Sequence, residues 1–192
     1  INQPEVDCQP VTQRLVLSKV HTMFDPLGLI TPIIITGRMI FQDITRLKIG
    51  WDAIAPNDIA EKWNTWMQSL EELPKYRFDR CLIPSDFVDG PSELIHFADA
   101  SLKAYGACTY IRTISPKTGE IRVKLIMSRG RVAPLRELSI PRLELCGAVE
   151  AARLDVLLRE QLGVDIVQST FFIDSQIALC YIRNCLLYTS PS

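Results

Sequence analysis

The sequence of 192 residues has no long apolar run and no excess of charge of either sign. Its longest apolar stretch without a charged residue covers residues 26–37, whereas a membrane-spanning helix needs about 20 apolar residues. The net charge of −1 excludes an overall basic surface for binding nucleic acid, although local basic patches are compatible with it. With only 9 Gly and 12 Pro, the chain is not collagen-like or of low complexity. We therefore expect a globular protein that does not span a membrane.

Metal-binding pairs of cysteine are also lacking. The six cysteines are scattered without a C-x-x-C pair, and only His21 and His96 could add imidazole ligands, so no structural zinc site is expected. Free thiols in a reducing compartment are the simplest interpretation. The chain begins with Ile1 and shows no secretory leader. We interpret it as part of a longer polypeptide that stays inside the cell.

The spacing of apolar residues changes near residue 75. Up to that point apolar residues recur once per helical turn and predict three helices, over residues 11–23, 30–47 and 56–73. Pro32 fits the second helix only in its first turn, and Pro74 ends the third. We expect residues 1–75 to form a helical region and residues 76–192 to form a second domain.

Beyond residue 75 the pattern becomes that of an α/β domain. It predicts, in chain order, three strands, a helix, a strand and a short helix, over residues 94–98, 105–114, 121–127, 141–162, 167–173 and 175–183. Pro141 suits the first turn of the long helix, and Gly163 suits its end.

Three acidic residues lie where a carboxylate is costly unless it is solvated, paired or bound to a cation. Asp99 and Asp174 each follow an apolar strand, and Glu144 lies one turn into the long helix. Glu144 shares its helix face with small residues that allow close approach to the sheet: Gly147, Ala148 and Ala151. A helical crossover joins the two strands, so we expect them to be parallel and to bring their acids to one edge. The three carboxylates predict a site for two Mg²⁺ or Mn²⁺ ions that hydrolyse a phosphodiester, with separations of roughly 4–8 Å.

Each acid also has an ordinary structural interpretation. Asp99 can be a turn residue, Asp174 a helix cap, and Glu144 a favourable charge near a helix N-terminus. For any one residue both interpretations stay open, and the combination of all three favours the metal site. Carboxylates that converge without a metal repel one another, so the metal site predicts a raised pKa for at least one of them.

Basic residues are concentrated between residues 112 and 142, where eight of them accompany only Glu120 and Glu137. A strip of this kind can contact the phosphates of a nucleic acid, and the alternative is the solvated face of a sheet. The candidate nucleic-acid contacts in this strip are Lys124, Arg129, Arg131, Arg136 and Arg142.

Two aromatic features favour core packing over direct function. His96 alternates with apolar residues along its strand, which is typical of a hydrogen-bonded core histidine rather than a catalytic base. Trp51, Trp63 and Trp66 have the spacing of a helix face, which favours core packing over stacking on nucleic-acid bases.

Five segments resemble the Pol polyproteins of Bel/Pao retrotransposons. Three of them carry the acids and are similar to the ribonuclease H segment: residues 97–101 (FADAS), 140–145 (IPRLEL) and 171–175 (FFIDS). Two others, residues 24–32 (FDPLGLITP) and 50–52 (GWD), are similar to the segment that follows the polymerase palm. The resemblance extends from the reverse transcriptase thumb and connection into a region also called the Pao retrotransposon peptidase family.

This resemblance implies a ribonuclease H-like mixed sheet, truncated at its C-terminus and preceded by a small thumb-like or connection-like helical region. It implies that Asp99, Glu144 and Asp174 are three of the family's four metal-binding acids, which hydrolyse RNA in RNA–DNA hybrids with two Mg²⁺ or Mn²⁺ ions during reverse transcription. The implied partners are that hybrid and the polymerase palm and integrase of the same polyprotein, in a cytoplasmic particle or the nucleus. The fourth acid would follow Ser192, and residues 184–192 depart from the family pattern. We therefore expect an incomplete nuclease that is weakly active or inactive.

Two other functions stay open at this point. Degenerate ribonuclease H-like folds serve as connection modules that grip a hybrid without cleaving it. A retroelement aspartic peptidase is the other alternative, although the sequence has no Asp-Thr-Gly or Asp-Ser-Gly motif.

Overall fold

The computed structural model describes residues 10–185, which form two compact units with separate apolar cores. Unit 1 comprises residues 10–24 and 32–76, and unit 2 comprises residues 25–31 and 77–185. Most of the divergent tail, residues 186–192, lies outside the described residues, as do residues 1–9. None of the described helices has the length and apolar content needed to cross a membrane.

Unit 1 contains three helices, α1 (Gln13–Thr22), α2 (Thr31–Arg46) and α3 (Asn57–Glu71). The side chain of Thr12 caps α1 by accepting a hydrogen bond from the backbone N–H of Leu15 at 3.2 Å. Pro32 lies in the first turn of α2, where its missing N–H costs no helical hydrogen bond. Each helix begins and ends within two residues of its predicted bounds.

Two of the three tryptophans contribute to the core of unit 1. Trp63 and Trp66 pack with their rings 4.9 Å apart among buried residues that include Val16 and Ile44, so their predicted core role is confirmed. The same prediction is wrong for Trp51, whose side chain is 48% exposed. Trp51 lies in a turn, and its backbone C=O accepts a hydrogen bond from the N–H of Arg14 at 3.1 Å. The turn is thus fixed by the backbone of Trp51 and not by its ring.

Unit 2 contains a four-stranded mixed sheet and two helices, which confirms the predicted α/β class and order of elements. The elements in chain order are β1 (Ser92–Ala100), β2 (Ala104–Ile114), β3 (Ile121–Val132), α4 (Ile140–Gln161), β4 (Ile166–Ile173) and α5 (Gln176–Cys185). The strand order is β3-β2-β1-β4, with β1 antiparallel to β2, β2 antiparallel to β3, and β1 parallel to β4. Two short 3₁₀-helices, Leu73–Lys75 in unit 1 and Ser85–Phe87 in unit 2, were not predicted.

Helix α4 packs on one face of the sheet through a stripe of buried residues. These recur every three or four positions along the helix, as expected for one face: Leu143, Glu144, Gly147, Glu150, Ala151, Leu154 and Leu158. The core beneath them includes Leu94 of β1 and Ile111 of β2, both almost completely buried. The stripe contains two glutamates, which apolar packing alone does not explain.

Two strands extend beyond their predicted bounds by two residues or more. Strand β1 continues through Asp99 to Ala100, so Asp99 lies inside the strand and not after it. Strand β3 continues from Met127 to Val132, because its last residues pair with the start of β2. Gly106 and Gly130 face each other in this pairing, and their lack of side chains hides the strand pattern in the sequence.

Residues 25–31, which we call the edge segment, run beside β3 in unit 2. The Asp25 carboxylate accepts hydrogen bonds from the backbone N–H groups of Leu29 and Ile30, both at 2.9 Å. Ser128 of β3 donates its backbone N–H to the C=O of Leu27 at 2.9 Å and its hydroxyl to the C=O of Gly28. Gly28 has φ +72°, and a Cβ there would lie 1.9 Å from the C=O oxygen of Ser128. Only glycine therefore fits this turn without displacing β3.

Candidate metal centre

The parallel pairing of β1 and β4 brings Asp99 and Asp174 to the same edge of the sheet. Ala98 and Ile173 are paired in register, and each is followed directly by one of the two aspartates. Asp174 leaves the sheet just before α5, and the hydroxyl of Ser175 caps this helix by accepting from the N–H of Ala178 at 3.2 Å. Parallel strands present their carboxyl ends at one edge, which is where ligand sites form in α/β sheets.

Glu144 reaches the same edge from the second turn of α4. The helix approaches β1 and β2 closely at Gly147, where an added Cβ would lie 3.3 Å from the C=O oxygen of Asp99 and 3.4 Å from that of Gly106. Ala151, one turn further, is also buried. The absence of a side chain at Gly147 thus sets the height of α4 above the strand that carries Asp99.

The three carboxylates converge as the sequence predicted. Asp99, Glu144 and Asp174 each offer a carboxylate oxygen, and these oxygens lie within 4.8 Å of one another. Both aspartates are exposed, whereas Glu144 is only 5% exposed. The Oε2 atom of Glu144 is buried and has no hydrogen-bond partner among the described residues.

The surroundings of Glu144 oppose its ionisation. Burial raises the pKa of the Glu144 carboxyl above its ordinary value, and the charges of Asp174 and Asp99 raise this pKa further. The nearby backbone N–H of Ala100, which donates to Oδ1 of Asp99 at 2.7 Å, lowers the pKa of Glu144 and so acts in the opposite direction. The raised pKa expected for converging carboxylates is thus found at Glu144.

The donor set of this cluster fits a divalent cation. Within residues 10–185, none of the three carboxylates forms an ion pair with Lys, Arg or His. Hard cations such as Mg²⁺ prefer carboxylate oxygens and retain positions for water and phosphate. A cation would bring together the repelling charges and give the buried Oε2 of Glu144 the partner that the described chain does not supply.

The five basic residues predicted to contact nucleic acid lie in different surroundings. Lys124 is mostly buried, and its Nζ donates to the backbone C=O groups of Asp79 and Cys81 at 2.6 and 2.7 Å. This contact anchors the loop before β1 at the end of β3 remote from the acids. Arg129 is half-buried in β3, and Arg136 is exposed in the loop before α4.

Arg129 also lies towards the acidic edge, because it is paired with Ala107, which is paired with Ala98 beside Asp99. Two more of the basic residues lie at this end of the sheet. Arg142 is exposed in the first turn of α4, where it lines a groove with Ser139 and Tyr181. Arg131 lies near the end of β3, opposite Tyr105, whose other neighbour is Ala100 beside Asp99. Arg131 also contacts Glu150 of α4 at 2.9 Å. The structure therefore places the predicted basic residues at both ends of the sheet.

His96 is a core residue, as the alternation of its strand predicted. Its ring is fully buried, with Nδ1 2.8 Å from the Thr109 hydroxyl and Nε2 3.2 Å from the Asp155 carboxylate. The ring also stacks on Phe171 with the centroids 4.4 Å apart. Burial lowers the pKa of His96, and the contact with Asp155 only partly offsets this effect. A neutral imidazole with both nitrogens engaged is a structural group and not a free base.

Sequence reasoning missed two acids of α4. Asp155 accepts hydrogen bonds from Ser169 of β4 and from Arg159, in addition to its contact with His96. Glu150 is only 2% exposed, and its Oε2 atom has no hydrogen-bond partner in the described chain. The spacing of Glu150 from Gly147 and Leu154 could have indicated its burial, because all three fall on one helix face.

The comparisons with known proteins agree with this architecture. A family model described as the Pao retrotransposon-like RNaseH-like domain matches residues 12–175 of the chain. The matched span includes all three acids of the centre. A search of curated proteins gives no match.

Proposed function

Because the chain belongs to the family of Pao retrotransposon-like RNaseH-like domains, we propose that it hydrolyses the RNA strand of RNA–DNA hybrids. In this proposal Asp99, Glu144 and Asp174 hold two Mg²⁺ or Mn²⁺ ions. The parent is a Pol polyprotein that also carries reverse transcriptase and integrase. The membership supports a nuclease-type activity, and the metal dependence and the hybrid substrate are our inference from the centre.

The observation that carries the proposal is the convergence of three carboxylates that the described chain leaves without a cationic partner. One carboxylate oxygen from each residue lies within 4.8 Å of the others. The Oε2 atom of Glu144 is buried and has no hydrogen-bond donor among the described residues. At about 4 Å, two carboxylates repel by about 1 kcal/mol in water and about 4 kcal/mol at an effective dielectric constant of 20. Replacing one of these carboxylates with a neutral residue would remove this repulsion and stabilise the folded protein, so stability alone does not explain why all three are present.

The candidate centre has an exposed side, formed by Asp99 and Asp174, and a buried side, formed by Glu144. Asp99 and Asp174 are open to solvent, so a phosphodiester can reach them from outside the sheet edge. Glu144 is buried on α4, and the N–H of Ala100 donates to Oδ1 of Asp99 at 2.7 Å. Divalent ions bound here would activate an attacking water and stabilise the leaving oxygen of the scissile phosphate.

Titration with Mg²⁺ and Mn²⁺, followed by amide NMR, tests the proposal directly. We expect shifts or paramagnetic broadening around all three acids, and we expect Asp99→Asn to abolish them without unfolding the protein. Asp165→Asn is the matched control, because Asp165 is an exposed acid at the opposite end of β4. Unchanged spectra around the three acids at saturating metal would contradict the metal centre.

A cleavage assay on an RNA–DNA hybrid completes the test. We expect EDTA-sensitive cleavage that Asp99→Asn eliminates, because the ions that activate the water and stabilise the leaving oxygen would lose one of their carboxylate ligands. Tight hybrid binding with no metal response would instead favour a connection module that grips the hybrid without cleaving it.

A further inference from the structure

Glu150 is a buried carboxylate on α4 outside the candidate metal centre. It lies six residues after Glu144, about 9 Å further along the helix at 1.5 Å per residue. Its side chain is 3% exposed, and its Oε2 atom is buried with no hydrogen-bond partner among the described residues. A buried charge of this kind is costly, so the contacts that it does make need an explanation.

Glu150 holds two arginines together through its other oxygen. Oε1 lies 2.9 Å from Nε of Arg131 on β3 and 2.7 Å from Nη1 of Arg153 on α4. The side chains of Arg131 and Arg153, which we call the guanidinium pair, are 54% and 58% exposed. One buried negative charge thus fixes two exposed positive charges, which leaves a net charge of +1.

Arg131 of the guanidinium pair lies at the end of the sheet that carries the metal centre. Arg131 is paired with Tyr105 of β2, and Tyr105 is paired with Ala100, the neighbour of Asp99. Two strand spacings separate the backbones of Arg131 and Ala100, which amounts to about 10 Å. A nucleic-acid strand that reaches the three acids can therefore contact the guanidinium pair with a phosphate a few nucleotides away.

We propose that the guanidinium pair is a preorganised binding site for one backbone phosphate of the RNA–DNA hybrid, with Glu150 as its positioning residue. Each arginine uses one nitrogen on Glu150, and its remaining N–H groups are of the type that binds phosphate oxygens in a fork. Arginines held in place before binding lose less freedom when the phosphate arrives. The inference takes its ligand, the RNA–DNA hybrid, from the proposed function. It concerns the binding of that hybrid and not its cleavage.

Hybrid binding by the full chain in EDTA separates this site from metal chemistry. We expect Arg131→Gln with Arg153→Gln to weaken binding about 10- to 100-fold, as for the loss of charged hydrogen bonds. The slope of log K against log salt should fall by about one, which corresponds to one phosphate. The matched control is Lys117→Gln with Arg122→Gln, which removes the same charge from the other end of the β2–β3 hairpin. Equal effects of the two double variants would overturn the proposal.

Glu150→Gln tests the positioning role of Glu150. The added positive charge would tighten hybrid binding, whereas the loss of the contacts that hold the two arginines in place would weaken it. The variant raises the local net charge from +1 to +2, so attraction alone would tighten binding. We expect binding to weaken about fivefold instead, since both side chains must now be ordered by the ligand. Unchanged or tighter binding by a variant with wild-type melting behaviour would overturn the role of Glu150.

Lysine variants keep the proposal testable if Glu150→Gln does not fold. Arg131→Lys with Arg153→Lys retains both charges but loses the planar fork, and we expect it to bind almost as weakly as the glutamine pair. Full retention of binding by this variant would contradict a forked phosphate contact. The same variants should keep the metal-induced shifts at Asp99, so failure of the metal centre is recognised separately from failure of this site.

Discussion

At the scale of single residues, Glu144 is the acid of the candidate centre whose ionised form is disfavoured by its surroundings. Its carboxylate is buried, two other carboxylates lie within 4.8 Å, and one of its oxygens has no partner in the described chain. The sequence predicted that Asp99, Glu144 and Asp174 converge, because strand ends and a small-residue helix face are visible in the residue pattern. It could not predict that Glu144 alone is closed off from solvent, since this depends on the height of α4 above the sheet.

Glu144→Gln should stabilise the metal-free protein, and more so at higher pH. The raised pKa means that the folded state binds the Glu144 proton more tightly than the unfolded state does. The contribution of Glu144 to the free energy of unfolding is therefore fully present below about pH 4.3, the pKa of this carboxyl in the unfolded chain. This contribution is lost as the pH rises through the higher pKa of the same carboxyl in the folded protein. Urea unfolding in EDTA should show an advantage of about 1 kcal/mol or more for the variant at pH 7.5 and almost none near pH 4.5. An advantage that does not grow with pH would contradict this reasoning.

His96 gives a pH dependence of the opposite sign. Its pKa is lowered in the folded state, so its contribution to stability is present above the unfolded pKa of about 6.5 and declines as pH falls towards the folded pKa. His96→Phe keeps the stacking on Phe171 but leaves Thr109 and Asp155 without their ring contacts. We expect this variant to lose about 1–3 kcal/mol at pH 7.5 and less at pH 5.5, measured by urea unfolding. An equal loss at both pH values would show that His96 does not titrate with folding.

At the scale of elements, the sequence predicted the helices better than the ends of the strands. Proline and glycine punctuate the helices, so α1 to α4 lie within two residues of their expected bounds. Strand β3 was predicted five residues too short, because its last part carries alternating basic residues and Gly130 instead of apolar ones. Those residues are held by cross-strand pairing with β2, which a local pattern does not reveal.

The edge segment provides a pair of glycine substitutions with matched backbone strain. Gly28 and Gly119 have φ values of +72° and +71°, but only at Gly28 would a Cβ meet other atoms within 4 Å. We expect Gly119→Ala to cost about 1 kcal/mol from the left-handed backbone alone. Gly28→Ala should cost at least about 2 kcal/mol more, because β3 must move away. Urea unfolding followed by amide signals of β3 measures both, and equal costs would show that the edge segment does not pack on β3.

Gly147 tests whether the height of α4 governs the metal centre. Alanine in a helix gains about 1 kcal/mol over glycine, but here its Cβ would press on the C=O oxygens of Asp99 and Gly106 at 3.3 and 3.4 Å. We expect Gly147→Ala to change the free energy of unfolding by less than about 1 kcal/mol and to weaken Mg²⁺ binding about 10-fold. Calorimetric titration measures the affinity. Wild-type affinity in a well-folded variant would show that the centre tolerates a shift of the helix.

At the scale of the whole molecule, two apolar cores coexist in one chain. The core of unit 1 is formed by α1, α2 and α3, and that of unit 2 by the sheet and α4. The sequence predicted a change in character near residue 75 because the apolar period changes there. It did not predict that residues 25–31 belong with the sheet, since the contacts of Ser128 with Leu27 and Gly28 bridge residues about 100 positions apart.

The separate cores predict separate responses to metal. All three tryptophans lie in unit 1, whereas the candidate centre lies in unit 2. A ligand that binds only the folded form of unit 2 stabilises that unit by mass action. We expect Mg²⁺ to raise the unfolding midpoint reported by amide signals of β1 and to leave the tryptophan fluorescence transition unchanged. Equal shifts of both transitions would show that the chain unfolds as one cooperative unit.

The edge segment has a consequence for the timing of synthesis. The hydrogen bond from the Ser128 hydroxyl to the C=O of Gly28 joins residues 100 positions apart. At about 5–20 residues per second, a ribosome needs about 5–20 s to advance from one to the other. During that interval the segment has emerged while the strand that it will accompany has not been translated, and α2 and α3 are produced in between. The edge segment therefore lacks its contacts with Ser128 during this interval, and it can pack on β3 only after β3 has been synthesised.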